Sequence, residues 1–206
     1  MGVLMEPVEA FRRVARNVGP SEFRSEFPSP VLVARQIIGG RLNRAAERAP
    51  PAGGKLHRLK PSTLVHVNPH DIDDPQEDDV LITRTLVQEM CVPVLKTHRT
   101  PRDAPISVGR FDSSDVVIPD YTISKVHAWF TIDPLTGAYR LADAGSTNGT
   151  SVGESRLSAG AWVSVRSGDR LTFGRLVLEL YSAPDFHRYL TAPTAEPRVI
   201  DVSLVR

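Results

Sequence analysis

After residue 80 the chain breaks into short apolar runs separated by turn signals. The runs are "CVPVL", "ISV", "DVVI", "VHAWFTI", "AYRLA", "GTSV", "AWVSV", "RLTF" and "LVLELY", and between them sit "HRTPRDAP", "FDSSD", "DPLTG", "STNG", "VGES" and "RSGD". In "VHAWFTI", Val126, Ala128, Phe130 and Ile132 alternate with His127, Trp129 and Thr131. That is the period of a strand with one buried face, and it puts His127 opposite the Val126/Ala128 side. "RLVLELY" alternates in the same way, with Leu176, Leu178 and Leu180 against Val177, Glu179 and Tyr181. Many short strands with no helix between them predict a mainly β domain, a sandwich or barrel of about 100 residues.

The first 80 residues have a different texture. Val8, Phe11, Ala15 and Val18 recur at helical spacing, which predicts an amphipathic helix over about residues 7–18. "SPVLVARQII" and "STLVHV" read as short strands, separated by a loop with Pro-Pro and Gly-Gly. Acidic "HDIDDPQEDD", residues 70–79, reads as a linker. The expected organisation is an N-terminal α+β extension over 1–80, a β domain over 85–183 and a tail over 184–206. Within that tail "SAPDFHRYL" forms a helical turn or two, with Ser182 as its cap.

Composition narrows the function. A net charge of +1 over 206 residues gives no general pull toward nucleic acid or an anionic membrane, so charge must act locally. Of the 25 lysines and arginines only Lys55, Lys60, Lys96 and Lys125 are lysine. That bias, with 17 prolines, suggests a GC-rich bacterial genome. The single cysteine, Cys91, excludes an internal disulfide framework and, at the start of an apolar run, reads as a buried strand residue. No secretory signal and no run of membrane-spanning length are visible, so the expected compartment is the cytoplasm.

Three polar clusters interrupt the sandwich at strand ends: "SVGRF" with Gly109-Arg110, "ISKVH" with Ser124 and His127, and "DAGSTNGTSV". None holds a carboxylate pair, a thiol beside a base, or a Gly-rich loop opening a helix. What they share is donors: a guanidinium, an ammonium, hydroxyls and an amide. An acceptor-rich anion suits such a set, because the arginine fork binds phosphate in bidentate fashion. Asn148-Gly149 is by itself a hairpin turn. Ser146, Thr147 and Thr150 are more hydroxyls than a turn requires, and Ser146 and Thr150 are assigned to bonding the turn backbone.

In order and spacing, Gly109-Arg110, Ser124-x-x-His127, "DAGSTNGT" and "SGDRLTFG" resemble the forkhead-associated (FHA) domain. The resemblance spans roughly residues 86–182. It implies an FHA-type β-sandwich of two antiparallel sheets with about 11 strands, whose loops bind phosphothreonine in a partner protein. Arg110 then resembles the arginine that contacts phosphate, and Ser124 the serine that donates to a phosphate oxygen. Lys125 resembles a neighbouring, more variable cation, and Thr147 the residue closing the phosphate pocket. Asn148 resembles the asparagine that bonds the peptide backbone. Gly109, His127 and Gly149 are architectural, His127 locking loops together rather than titrating. Two positions depart from the pattern: Gly153-Glu154 replaces a second Asn-Gly, and Ser114 stands where asparagine is frequent.

The expected function is a non-enzymatic adaptor in Ser/Thr-kinase signalling. Its partners are phosphothreonine proteins, substrates of a Ser/Thr kinase; no nucleic acid, membrane, metal or other cofactor is involved. The alternative is an FHA-fold scaffold that binds partners independently of phosphorylation. A hydrolase reading of Ser124 and His127 lacks an orienting acid and an oxyanion pocket. A metal site from His66, His70, Asp71, Asp73 and Asp74 is disfavoured by Pro69, which breaks any helix that would align the histidines. Thr83, Thr85, Thr97 and Thr100, near the start of the domain, are sites at which a phosphate would let the chain bind itself.

Overall fold

The computed structural model describes residues 2–37, 89–97, 101, 103–133 and 135–193. "STLVHV", the loops and linker between residues 38 and 88, the His66–Asp74 cluster, Thr83, Thr85 and Thr100, and the tail beyond residue 193 lie outside them. Thirteen strands and three helices form among the described residues. The strands are β1 (Val3–Leu4), β2 (Glu6–Pro7), β3 (Val31–Ile37), β4 (Met90–Pro93), β5 (Ile106–Gly109), β6 (Val116–Val117) and β7 (Ala128–Ile132). They continue with β8 (Tyr139–Asp143), β9 (Thr150–Val152), β10 (Ser155–Arg156), β11 (Val163–Val165), β12 (Arg170–Phe173) and β13 (Leu176–Tyr181). The helices are α1 (Val8–Ala15), α2 (Pro20–Glu26) and α3 (Ala183–Thr191).

Two sheets face each other. One runs β1-β6-β5-β7-β8-β11 and the other β10-β9-β12-β13-β3-β4-β2. Neighbours pair antiparallel except around β6, which runs parallel to both β1 and β5. The expected mainly β sandwich is therefore what the chain builds, and every apolar run named after residue 80 contributes a strand. Between the sheets lies a closed core that includes Val92, Val108, Ile118, Ile123, Phe130, Leu141, Leu171, Phe173, Leu178 and Leu180.

Residues 31–37 pair along their length with β13 and also with β4, so they sit inside the second sheet. The reason lies in their pattern. Leu32 faces the core between the sheets, while Val31 and Val33 face a second core under the helices. A strand buried on both faces reads as a continuous apolar run, and "VLV" is one. In β4, Met90 and Val92 likewise feed the first core and Cys91 the second. Burial pushes the Cys91 thiol pKa up to about 12, with Glu6 and Glu89 adding to the effect.

The helices roof the outer face of this sheet. Phe11 from α1, Phe23 from α2 and Phe186 from α3 meet there, with ring centroids 5.6 and 6.2 Å apart for the two contacts to Phe186. Val8, Phe11 and Ala15 of the predicted apolar stripe are the buried residues of α1, which ends at Ala15, so that the fourth, Val18, lies beyond the helix and is only half-buried. Ser182 caps α3, accepting from Asp185 N at 3.4 Å, and Pro184 occupies the first turn, where no N–H is needed. No helix among the described residues is long and apolar enough to cross a membrane.

Candidate functional site

The three polar clusters converge at one end of the sandwich, and backbone chemistry explains how. Three successive carbonyls of the 123–125 segment are each claimed by the loop after β5. Ile123 O accepts from Arg110 Nε at 3.1 Å, Ser124 O from Arg110 N at 3.0 Å, and Lys125 O from Ser114 Oγ at 3.1 Å. Gly109 makes this approach possible: a Cβ there would lie 2.0 Å from Lys125 O and 2.6 Å from Ser114 Oγ. Ser114 is buried, so the residue that departs from the family pattern holds the loop in this chain.

His127 is the second fastener. Its Nδ1 accepts the Ser124 N–H at 3.1 Å, which leaves Nε2 to donate to Gly149 O at 3.1 Å. The ring thus joins two clusters, and the His127 backbone N–H donates to Val108 O at 2.8 Å. Burial holds its pKa below the ordinary 6.5 despite the Gly149 bond and the charges of Asp143 and Asp120, which pull the other way. Here the alternation across "VHAWFTI" fails: β7 begins at Ala128, Val126 is exposed and His127 is buried. The segment before the strand follows the loop bonds rather than the pleat.

The turn of the third cluster is organised from beneath by Asp143. One oxygen accepts the N–H groups of Gly145 and Ser146 at 2.8 and 2.9 Å, and the other the hydroxyls of Ser146 and Thr150 at 2.6 and 2.7 Å. Burial alone would raise its pKa; these four donors outweigh that and hold the carboxyl below the usual carboxylate value. Ser146 Oγ also accepts the Gly149 N–H at 3.0 Å, and Gly149 sits at a φ of +86°. Ser146 and Thr150 are therefore turn supports, as their excess over a plain hairpin suggested.

Thr147 and Asn148 face the other clusters. Thr147 N–H donates to Ser124 Oγ at 3.0 Å, and the two hydroxyls lie 3.4 Å apart. Asn148 Nδ2 donates to Thr122 O at 2.9 Å. Arg110 and Lys125 flank the Phe111 ring at 5.1 and 4.8 Å from its centroid. The structure thus brings Arg110, Ser124, Lys125, Thr147 and Asn148 together on one rim, with Gly109, His127 and Gly149 beneath them.

Sequence reasoning missed the clamp on the 118–125 loop. Asp120 pairs with Arg175 at 3.0 Å and accepts the Thr122 hydroxyl at 2.6 Å, while Thr122 Oγ1 accepts Arg175 N–H at 3.1 Å. Arg175 also lies 4.3 Å over the Tyr121 ring. No local pattern announced it: Arg175 lies in the tight turn between β12 and β13, where arginine is ordinarily exposed. Only the approach of the 118–125 loop buries it and supplies its carboxylate. Thr97, one of the threonines singled out above, donates its hydroxyl to buried Asp115 at 2.6 Å, so a phosphate there would face a carboxylate. Among the described residues no group of three His, Cys, Asp or Glu side chains is arranged to hold a metal ion.

The fold is a β-sandwich with its polar loops gathered on one rim, and the family model for the FHA domain matches residues 106–174. That stretch of the chain thus matches the FHA domain, as the resemblance implied. Among curated proteins, it is 32% identical over 78 residues to an oxoglutarate dehydrogenase inhibitor of Corynebacterium glutamicum, covering 38% of this chain and 51% of that one. It is 31% identical over 78 residues to the glycogen accumulation regulator GarA of Mycolicibacterium smegmatis, covering 38% and 46%. The chain thus spans about half the length of the curated relatives it matches. A solved structure from a study of phosphothreonine-dependent FHA domain interactions overlays on 39% of this chain and 79% of its own. The identity is 25% and the TM-score 0.34.

Proposed function

We propose that this protein is a non-enzymatic adaptor that binds phosphothreonine in substrates of a Ser/Thr protein kinase. The observation that carries the reading is the convergence of Arg110, Ser124, Lys125, Thr147 and Asn148 on one rim, clamped from below by bonds that do not involve a ligand. In this reading the Arg110 guanidinium and the Lys125 ammonium attract the phosphate. The Ser124 and Thr147 hydroxyls donate to its oxygens, and the Asn148 amide sets the register of the peptide backbone.

A hydrolytic role is disfavoured by the wiring of the same residues. His127 accepts from the Ser124 backbone N–H, not from its hydroxyl, and its second nitrogen serves the Gly149 carbonyl. An imidazole with both nitrogens committed to backbone, held neutral by burial, is a poor general base for Ser124. The relatives named inhibitor and regulator point the same way.

Hydrogen bonds to a charged group contribute roughly 1.5–3 kcal/mol each. Three or four of them, less ordering and desolvation, are compatible with about −7 to −8 kcal/mol, a micromolar affinity suited to reversible signalling. The test is calorimetry of the whole chain with phosphothreonine peptides and their unphosphorylated twins, together with Arg110→Ala. Binding confined to the phosphorylated peptides and abolished in the variant is expected. Equal affinity for both forms, with partners retained from phosphatase-treated lysate, would instead favour the phosphate-independent scaffold.

A further inference from the structure

The Phe111 side chain raises a question that the rim residues alone do not answer. It is a large apolar side chain left 37% exposed, immediately after Arg110 and beside the clustered donors. Both rim cations lie against its ring, Arg110 Cζ at 5.1 Å and Lys125 Nζ at 4.8 Å from the centroid. Two like charges converging on one ring repel each other, and a lysine side chain gives up rotamer freedom to stay there. The negative face of an aromatic ring attracts a cation within about 6 Å of its centroid, which offsets both costs. Arg110 has a second restraint, its Nε bond to Ile123 O at 3.1 Å. For Lys125 the interaction shown is the ring.

We propose that Phe111 is a positioning residue of the anion site: its ring holds the Lys125 ammonium beside the Arg110 guanidinium, so that both charges meet one phosphate. The inference rests on the phosphothreonine reading above and goes beyond it by making Lys125 a fixed second cation rather than a mobile surface charge. A leucine at 111 keeps much of the apolar volume and removes the quadrupole, whereas tyrosine or tryptophan retains it. Cation–π contacts at exposed sites correspond to roughly 2- to 5-fold in affinity per cation.

The experiment is calorimetry of the full chain with one phosphothreonine peptide, using wild type, Phe111→Leu, Phe111→Trp, Lys125→Ala and the Phe111→Leu/Lys125→Ala double variant. Phe111→Leu should weaken binding roughly 3- to 10-fold, and Phe111→Trp should stay within about 2-fold of wild type. In the Lys125→Ala background the leucine substitution should cost clearly less, because one of the two cations it positions is gone. Raising salt should weaken wild type more than Phe111→Leu, since a held charge attracts the phosphate more strongly than a mobile one.

Additive effects in the cycle, or equal losses for leucine and tryptophan, overturn the proposal, as does full affinity in Phe111→Leu. Wild type that binds only the phosphorylated peptide, combined with loss in Arg110→Ala, keeps the underlying reading intact whichever way the cycle falls. If wild type does not distinguish the two peptide forms, the underlying reading and this proposal fall together.

Discussion

Side chains that never reach the rim decide whether the rim exists. Asp143 gathers four donors beneath the 144–150 turn. Its replacement by alanine leaves the buried Thr150 hydroxyl, the half-buried Ser146 hydroxyl and two N–H groups short of an acceptor, a loss of about 3 kcal/mol. Urea unfolding of Asp143→Ala should show that decrease together with lost phosphopeptide binding. His127 makes a pH prediction with a definite sign. Its folded pKa lies below 6.5, so the unfolded chain takes up the proton first as pH falls. Its contribution to stability is complete above 6.5 and declines as pH drops below that value, until the folded form protonates as well. Thermal midpoints between pH 8 and 5 should therefore decline on the acid side, and the His127→Gln variant should lose that part of the slope. Asp143 acts in the same direction at lower pH: its contribution is present above the usual carboxylate value and is lost as pH falls through its depressed pKa. The turn supports could be read in sequence from hydroxyl density. The inward turn of His127 could not, because it depends on bonds to Gly149 and Val108, residues far away in the chain.

Secondary-structure elements meet through a polar knot on the helix side of the second sheet. Between Val177 and Leu178 of β13 the register with β3 shifts by one, and Arg35 falls at that irregularity. Bulges re-aim side chains, and this one sends Arg35 to Glu179 at 2.8 Å, Glu89 at 3.0 Å and Tyr189 at 3.2 Å, with a further bond to Tyr181. Glu89 also binds Arg12 of α1 at 3.0 Å and the Tyr189 hydroxyl of α3 at 2.6 Å. One guanidinium thus ties β3, β13 and α3 together, and through Glu89 it reaches α1. Arg35→Ala should lower stability by roughly 2–3 kcal/mol and speed amide exchange across residues 183–191 more than in β7 or β8. The strands that build these contacts were legible from apolar runs and turn residues, and α3 from its Ser182 cap. β1, β2 and β10 were not, because a two-residue strand carries no period, and β6, equally short, was read only from the apolar run around it.

The whole molecule is larger than the stretch that matches the family. β3 lies between β13 and β4, and the helices before it cover that sheet. We propose that residues 2–37 and 89–193 form one folding unit. Removing residues 2–37 would bare an edge of β13 and the second core, exposing Cys91, Phe186 and Leu190 to water. At roughly 1.5–3 kcal/mol for each large apolar side chain returned to water, the loss of several such side chains rivals the 5–15 kcal/mol by which a domain is stable. A fragment of residues 85–193, which keeps α3 but lacks residues 2–37, should therefore fail to show a cooperative thermal transition by circular dichroism. A chain with residues 38–88 replaced by a short Gly-Ser linker should show one.

The sequence by itself determined the strands after residue 80 other than β10, the loop residues of the rim and the family they resemble, because alternation, turn chemistry and motif spacing are local properties. It also determined that β3 is a strand. Only the tertiary structure decided where that strand goes, since pairing partners lie more than 50 residues apart and an apolar run does not name its neighbours. The same holds for the Arg175 clamp, the Arg35 knot and the Phe111 ring between two cations. Each joins residues whose spacing in the chain carries no signal, and their chemistry exists only once the sheets bring them together.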